Sequence, residues 1–383
     1  MLVIVVTLVF VAFHAALCRW FVSGINALPG IPKPLSDANL PKATVLVAAR
    51  NERIHAPALA SALLALDYPV ERLQIIVVDD RSDDGTGQLL SELGSGRIEV
   101  VRVESLPIGM APKKNALAAG LRSATGEFIF TIDADNLPSP NWVRAMVAHF
   151  DPRTAVVAGL VHHAPATPGV SAWFHGMWAL EVFAHAAVQA GAIGGRLPIH
   201  ANGGNLAFRR SAFDQLGGYK SHSGIVSGDD DFLLQAAAES GRWNVRCAVS
   251  PESRIVTEGP QSFRQVWEQR KRWGSKCIHY DAKRVALLSG IFASYVWTVL
   301  MLLGSVFGAE SLFWGLLLAL TIFSEAWIIL REAGRVHGQS HLLRWFPLAA
   351  LVQIPMVLAA VLVGTFGRFR WKDGPTTRLG QPR

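Results

Sequence analysis

Apolar residues fall into four long blocks, with a run of short ones between the first and the second. Met1 to Cys18, Ala286 to Ala309 and Trp345 to Gly367 hold no Asp, Glu, Lys or Arg, and Ser311 to Leu330 holds one, Glu325. Each block is about 18–24 residues, enough to cross a ~30 Å hydrocarbon core as a helix. The pattern predicts one membrane helix over 1–21 and three more over 285–367. The first block lacks a basic leader and a small-x-small cleavage site, so it reads as a retained helix rather than a cleaved signal. Between the blocks, β-branched runs alternate with helical stretches. Candidate strands are Ala43–Ala49, Leu73–Asp79, Ile98–Val103, Glu127–Asp133 and Thr154–Val161; candidate helices are Pro57–Leu66, Gly85–Leu93, Lys113–Ser123 and Asn141–Phe150. This alternation predicts an α/β domain over 41–263 with a mostly parallel, doubly wound sheet. Residues 22–40 form a proline-rich linker, 264–284 an interfacial helix region and 368–383 a basic tail.

Composition agrees with a membrane protein. Of 383 residues 51% are hydrophobic and 17% charged, against roughly 25% charged in an average chain. Cys18, Cys247 and Cys277 form no CxxC pair, which fits a cytosol-facing catalytic part in a reducing compartment. A net charge of +7 favours acidic partners such as anionic lipid headgroups and phosphates. Arg264 to Arg284 carries seven basic and two acidic residues, so the charge concentrates beside the apolar blocks. No nucleic-acid motif accompanies it, and nucleic acid is not an expected partner. Three crossings after a cytosolic domain would put the basic tail outside, against the positive-inside tendency. One C-terminal segment is therefore a candidate for a re-entrant or interfacial position.

The polar residues at the strand ends carry the candidate chemistry. The first strand ends in Ala48-Ala49-Arg50-Asn51-Glu52, the second in Asp79-Asp80-Arg81-Ser82-Asp83-Asp84-Gly85-Thr86, and the fourth in Thr131-Ile132-Asp133-Ala134-Asp135-Asn136. In doubly wound sheets ligands sit beyond the carboxyl ends of the strands. Asp83, Asp84 and Thr86 could simply cap the next helix; three acidic strand ends on one edge exceed what capping needs. Asp133 and Asp135, two apart at a turn, offer hard oxygens suited to Mg²⁺ or Mn²⁺ shared with a diphosphate. Asp80 and Glu52 suit a base or ribose. Lys113 opens a helix, where a cation suits a phosphate; the plain alternative is a solvated lysine.

Two further segments follow. His200-Ala-Asn-Gly203-Gly204-Asn205-Leu-Ala-Phe-Arg-Arg reads as a glycine turn into a strand, where glycines let a ligand approach the backbone. Ser227-Gly228-Asp229-Asp230-Asp231 puts three carboxylates at a helix start. They are either a favourable acidic first turn or the source of a general base. Gln269-Arg270-Lys271-Arg272-Trp273 lies just before an apolar block and is, at the least, a basic anchor with an interfacial tryptophan.

Together these residues resemble the membrane-bound inverting family 2 glycosyltransferases, the group of cellulose, hyaluronan and poly-N-acetylglucosamine synthases and ceramide glucosyltransferase. The likeness runs from about Ala43 to Trp273. It rests on Ala-Arg-Asn-Glu, Asp-Asp-x-Ser-x-Asp, Lys-x-x-Ala-Leu, Asp-x-Asp, Gly-Gly-Asn-Leu-Ala-Phe-Arg-Arg and Gln-x-x-Arg-Trp in that order. The resemblance implies a GT-A fold, a nucleotide-sugar donor (a UDP-sugar) and a metal, Mg²⁺ or Mn²⁺; four candidate membrane helices are few for a polymer channel, so the expected acceptor is a membrane lipid. It assigns donor binding to Ala49, Glu52, Asp80, Lys113, Asp133, Gln269 and Arg272. It assigns acceptor binding to Trp273, Gly204 and Asn205, and the metal to Asp133 and Asp135. The family's base lies in Thr-Glu-Asp; Gly228-Asp229-Asp230 stands there, which makes Asp230 the first choice of base and Asp229 the second. The implied setting is an integral protein of a bacterial-type cytoplasmic membrane with its catalytic domain in the cytosol. A processive polysaccharide synthase is the alternative enzyme. A non-catalytic membrane scaffold is the alternative of another class, but it would need no Asp-x-Asp beside Asp80.

Overall fold

The computed structural model describes residues 1–165 and 168–367; the basic tail lies outside the described residues. The chain divides into two compact units. One, mainly helical, holds Met1–Ala27, Pro168–Gly195 and the described chain from Pro260 to residue 367. The other, an α/β unit, begins at Leu28, breaks after residue 165 and resumes over Arg196–Gly259.

In chain order, α1 is Leu2–Asn26, β1 Ala43–Ala49, α2 Ala56–Leu64, β2 Leu73–Asp80, α3 Thr86–Leu93 and β3 Ile98–Val103. Then come α4 Pro112–Ser123, β4 Phe128–Asp133, β5 Asn136–Pro138, α5 Trp142–Val147, β6 Thr154–Ala158 and β7 Val161–His163. Next are α6 Ala172–Gly194, β8 Leu206–Arg209, α7 Arg210–Gln215, α8 Asp229–Glu239, β9 Asn244–Cys247 and β10 Ile255–Thr257. The helices α9 Phe263–Lys276, α10 Ala282–Gly304, α11 Ala309–His337 and α12 Phe346–Phe366 complete the description.

The α/β unit holds a seven-stranded sheet in the order β3-β2-β1-β4-β8-β6-β9. β3, β2, β1 and β4 run parallel; β8 is antiparallel to both β4 and β6, and β9 runs parallel to β6. The sheet is therefore mixed. Central strands covered on both faces read as unbroken apolar runs, and Val45, Leu46, Val47, Ile76, Val77 and Val78 are fully buried. Register fixes the edge that matters. Ala49 pairs with Asp79, and Ala48 with Asp133, so all three acidic strand ends emerge side by side.

The predicted strand Thr154–Val161 is two. The Gly159 N–H donates to the Asn205 carbonyl, ending β6, and β7 joins β10 and β5 in a second, three-stranded sheet. The predicted helix Asn141–Phe150 forms only over Trp142–Val147. Just beyond it, His149 is 1% exposed, and its Nε2 meets no hydrogen-bond partner among the described residues. Burial, helped by the Arg246 guanidinium, pushes this imidazole down to about 4. The unfolded chain takes up that proton near pH 6.5, so stability is complete above that pH and falls as pH drops toward 4. We expect the α/β unit to lose about 2 kcal/mol between pH 7 and pH 5 from this group alone. Denaturation midpoints of the wild type and His149→Phe at both pH values check this. An equal loss in both proteins would exclude a contribution from His149.

Among the described residues of the helical unit, four helices are long and apolar enough to cross a membrane: Leu2–Asn26, Ala282–Gly304, Glu310–His337 and Ser340–Phe366. Polar groups inside such bundles pair with one another. Glu325 of α11 meets His14 of α1, whose other ring nitrogen lies 2.8 Å from Ser294 Oγ of α10. The indole of Trp297 donates to Thr7 Oγ1 at 2.9 Å. The one charge in the third apolar block is thus matched across three helices. Sequence reading treated 41–263 as continuous. Instead α6, whose one Asp, Glu, Lys or Arg is Glu181, groups with the helical unit, where it packs on α1 with Trp20 donating to the Gly195 carbonyl at 3.1 Å.

Candidate active site

The loops after β1 and β2 are stitched together. The Asn51 N–H donates to Ser82 Oγ, the Asp83 N–H to Asn51 Oδ1, the Glu52 N–H to Thr86 Oγ1 and the Arg53 N–H to Asp84 Oδ2. Asn51 and Arg81 hold positive φ, 51° and 58°; the loop-to-loop bonds fix Asn51, and the Arg81 N–H donates to the Asp79 carbonyl. Asp84 accepts from the Thr86 N–H at the start of α3, so for this pair the capping role holds. Asp80, 4% exposed, accepts a two-pronged bond from Arg81 at 2.8 and 3.1 Å. Glu52 is 9% exposed, with Oε2 3.6 Å from His55 Nε2. The Ala49 side chain is buried in the core, so only its backbone can face a ligand.

A second cluster gathers around the glycine turn. Lys113 Nζ lies 2.7 Å from Asp133 Oδ1 and 3.4 Å from Asp229 Oδ2. A β-carbon on Gly203 would sit 3.2 Å from Asp229 Oδ2, Asp230 Oδ2 and Lys113 Nζ alike. One on Gly204 would sit 2.8 Å from Asp133 Oδ2. Absence of side chains here lets the backbone lie among four charged groups. Burial disfavours the Lys113 charge, but Asp133 and Asp229 outweigh it and hold the ammonium protonated well above the usual lysine range. The Tyr219 phenol is raised likewise, by burial and by the charge of Asp229. Tyr219 is a site neighbour that sequence reading missed.

The three carboxylates of α8 differ. Asp230 accepts from the Gly203 N–H at 2.7 Å through Oδ2 and from the Asp231 N–H at 2.8 Å through Oδ1. Asp231, fully buried, accepts from the Ala201 N–H. Asp230 and Asp231 therefore hold the glycine turn, whereas Asp229 reaches Lys113. Asn205 is fully buried, accepts from the Trp142 indole, and donates to the carbonyls of Leu160 and Ser253. Its side chain anchors the turn from within the core, and Gly204 beside it stands at the cluster.

Lys114 is a residue that sequence reading passed over. It is 1% exposed and donates to the carbonyls of His222, Ile225 and Ser227 at 2.6, 2.9 and 3.3 Å. It thereby holds the loop that leads into Gly228 and α8. Its spacing was the available signal: Lys114, Leu117 and Leu121 share one face of α4, and both leucines are buried. Lys114→Met would leave those carbonyls without their cation, at about 1–3 kcal/mol for each buried acceptor left unpaired. We expect a fall in both stability and transfer rate, read by denaturation and by turnover. A fully active, equally stable Lys114→Met would show the loop to be held by other contacts.

Asp133, half-buried, and Asp135 stand at the turn between β4 and β5. Among the described residues no group of three or more His, Cys, Asp or Glu side chains forms a metal cage. Two carboxylates fit a Mg²⁺ or Mn²⁺ that completes its shell with diphosphate oxygens and water. Gln269, Arg272 and Trp273 lie on α9 in the helical unit. Gln269 Oε1 accepts from Arg270, whose guanidinium lies 4.2 Å from the Trp273 ring centroid.

Residues 44–217 match the profile of the family Glycosyl transferase family 2. This stretch, under half of the chain, resembles a glycosyltransferase domain of that family. It is 29% identical over 272 residues to the beta-monoglucosyldiacylglycerol synthase of Trichormus variabilis, covering 69% of this chain and 55% of the relative. It is 30% identical over 251 residues to the enzyme of that name in a Synechocystis species, covering 65% and 50%. The chain spans about half the length of these curated relatives. A mannosyltransferase of Pyrobaculum calidifontis, solved in complex with GDP-Man and Mn²⁺, shares the fold. Its TM-score is 0.53 at 18% identity, over 92% of this chain and 99% of that one. The α/β unit is GT-A-like.

Proposed function

We propose that this protein is a membrane-embedded inverting glycosyltransferase. It moves one sugar from a nucleotide-diphosphate sugar, a UDP-sugar, to a hydroxyl of a membrane lipid. The observation that carries the reading is the convergence of Lys113, Asp133, Asp229 and Asp230 on the Gly203-Gly204 turn, in a chain with four membrane-length apolar helices. The relatives named as glycolipid synthases support a lipid acceptor. The catalytic unit faces the cytosol, where nucleotide sugars are made.

The reaction is a single displacement. Asp229 is the base, since both oxygens of Asp230 already accept backbone N–H groups of the turn. Asp229 takes the proton of the acceptor hydroxyl as its oxygen bonds to the anomeric carbon. The bond from that carbon to the diphosphate oxygen breaks, and the nucleoside diphosphate leaves with the electron pair. Lys113 offsets charge growing on the leaving group. When bound by Asp133 and Asp135, Mg²⁺ or Mn²⁺ supplies Lewis-acid stabilisation of that same charge. Glu52 and Asp80, with the Ala49 backbone, receive the nucleoside. Gln269 and Arg272 serve the diphosphate, and Trp273 offers the acceptor a flat stacking face.

The test is a screen of nucleotide sugars with Mn²⁺ against a native lipid extract and against diacylglycerol micelles, with products identified by mass spectrometry. UDP-glucose with diacylglycerol is the first pair. A lipid bearing one hexose in inverted configuration is the expected product. A ladder of sugars would make the protein a polymer synthase. Failure to bind or turn over any nucleotide sugar would overturn the enzyme reading.

A further inference from the structure

The helix α6 carries one charged residue in 23, Glu181, and the structure pairs it with a cation of α9. Arg270 Nε and Nη2 both donate to the Glu181 carboxylate, one prong to each oxygen. The remaining prong, Nη1, donates to Gln269 Oε1 at 2.7 Å. The guanidinium lies over the Trp273 ring, 4.2 Å from its centroid, and 5.7 Å from that of Trp178. One turn beyond Glu181, His185 meets the Trp273 ring edge-on at 4.7 Å and 80°. Arg270 is 6% exposed. A two-pronged arginine–carboxylate pair fixes the guanidinium plane as well as its place, and a cation over an indole resists the ring's rotation. Gln269 and Trp273 are thus both held through Arg270, whose own plane is set from α6.

The backbone of α9 is held by a different helix. A β-carbon on Gly274 would meet the Ala360 carbonyl at 2.9 Å, and one on Gly364 would meet the Lys271 carbonyl at 2.3 Å. Contact this close with α12 places α9 whether or not Glu181 is charged. The Glu181–Arg270 pair is left to govern side-chain direction.

We propose that Glu181 is a positioning residue for transfer: through Arg270 it fixes the direction of the Trp273 indole. The inference rests on the reading in which Trp273 faces the acceptor. Neither Glu181 nor Arg270 touches the reacting atoms. A purely architectural pair would affect folding and would add its effect to that of any Trp273 substitution. A positioning pair acts through Trp273 and loses its effect once the indole is gone.

The experiment measures transfer from UDP-glucose to diacylglycerol micelles by the full chain in detergent. It compares Glu181→Gln, Arg270→Lys, Trp273→Ala and the double variant Glu181→Gln with Trp273→Ala. Glu181→Gln keeps the shape and can still accept from Arg270, which guards against misfolding; thermal midpoints follow the fold. Misplacing a substrate-facing group can lower rates about 10- to 100-fold. We expect Glu181→Gln and Arg270→Lys to raise the acceptor KM and lower kcat within that range. We expect the double variant to be within about twofold of Trp273→Ala alone, since effects acting through one group do not add. Wild-type transfer by Glu181→Gln and Arg270→Lys, with Trp273→Ala impaired, would overturn the positioning role. So would a double variant that multiplies the two single losses. Wild-type transfer by Trp273→Ala itself would instead remove the acceptor assignment on which the inference stands, and the inference with it.

Discussion

Asp229→Asn is expected to lower sugar transfer about 10²- to 10⁴-fold, the usual cost of losing a general base, and to leave UDP binding near the wild-type level. An amide at this place cannot take the hydroxyl proton, while its size and its place at the start of α8 are unchanged. Asp230→Asn is expected to behave differently. Its two oxygens accept the Gly203 and Asp231 N–H groups, and an amide can offer only one acceptor oxygen between them. One backbone donor then faces an NH₂ group, at a cost of about 1–3 kcal/mol. The turn loosens, and stability, donor binding and rate decline together. Turnover, UDP affinity and denaturation midpoint for the two variants separate the roles. An inactive, stable Asp230→Asn beside an active Asp229→Asn would return the base to Asp230, the order that the motif alone suggested.

Asp135→Ala should abolish transfer while the protein still folds and inserts. The residue lies at the turn after β4, and its carboxylate with that of Asp133 is the hard-oxygen pair we propose for the divalent cation. Without it, the charge stabilisation of the departing diphosphate is lost. Activity above about a tenth of wild type in saturating Mn²⁺, a cost under ~1.4 kcal/mol, would show that Asp135 is not a metal ligand. Isothermal titration of Mn²⁺ with UDP present gives a second readout, and an unchanged Mn²⁺ affinity would equally remove Asp135 from the metal site.

Much of the catalytic edge was legible because parallel strands covered on both faces must be continuous apolar runs. The residues that interrupt them mark where each strand ends. Asp79-Asp80 and Asp133 stand at such interruptions, and register aligns them with Ala49 and Ala48. The Gly203-Gly204 turn was legible as two glycines before a strand. Its importance came into view only with the antiparallel pairing of β8 to β4, Leu206 opposite Thr131, which brings the turn beside Asp133.

Other roles were beyond the chain's local pattern. Asp229, Asp230 and Asp231 are the same letter three times. Their difference is which donor each meets, and those that separate them, the Lys113 ammonium and the N–H groups of Gly203 and Ala201, lie more than twenty residues away. Asn205 reads as a polar turn residue until Trp142, Leu160 and Ser253 are seen to use its side chain. Lys113 and Lys114 are adjacent, yet one meets carboxylates and the other three carbonyls. Helix direction separates them by about 100°.

The sequence by itself determined the four long apolar helices, the strand ends that carry the acidic residues and the general kind of chemistry. Those follow from length, periodicity and residue type, which are local properties of the chain. The tertiary structure decided which partners each carboxylate of α8 meets, which asparagine is committed to the core, and that α6 belongs with the apolar helices. These are pairings between segments far apart in sequence. A buried polar group takes whichever partner the packing brings to it, and no pattern along the chain specifies that partner.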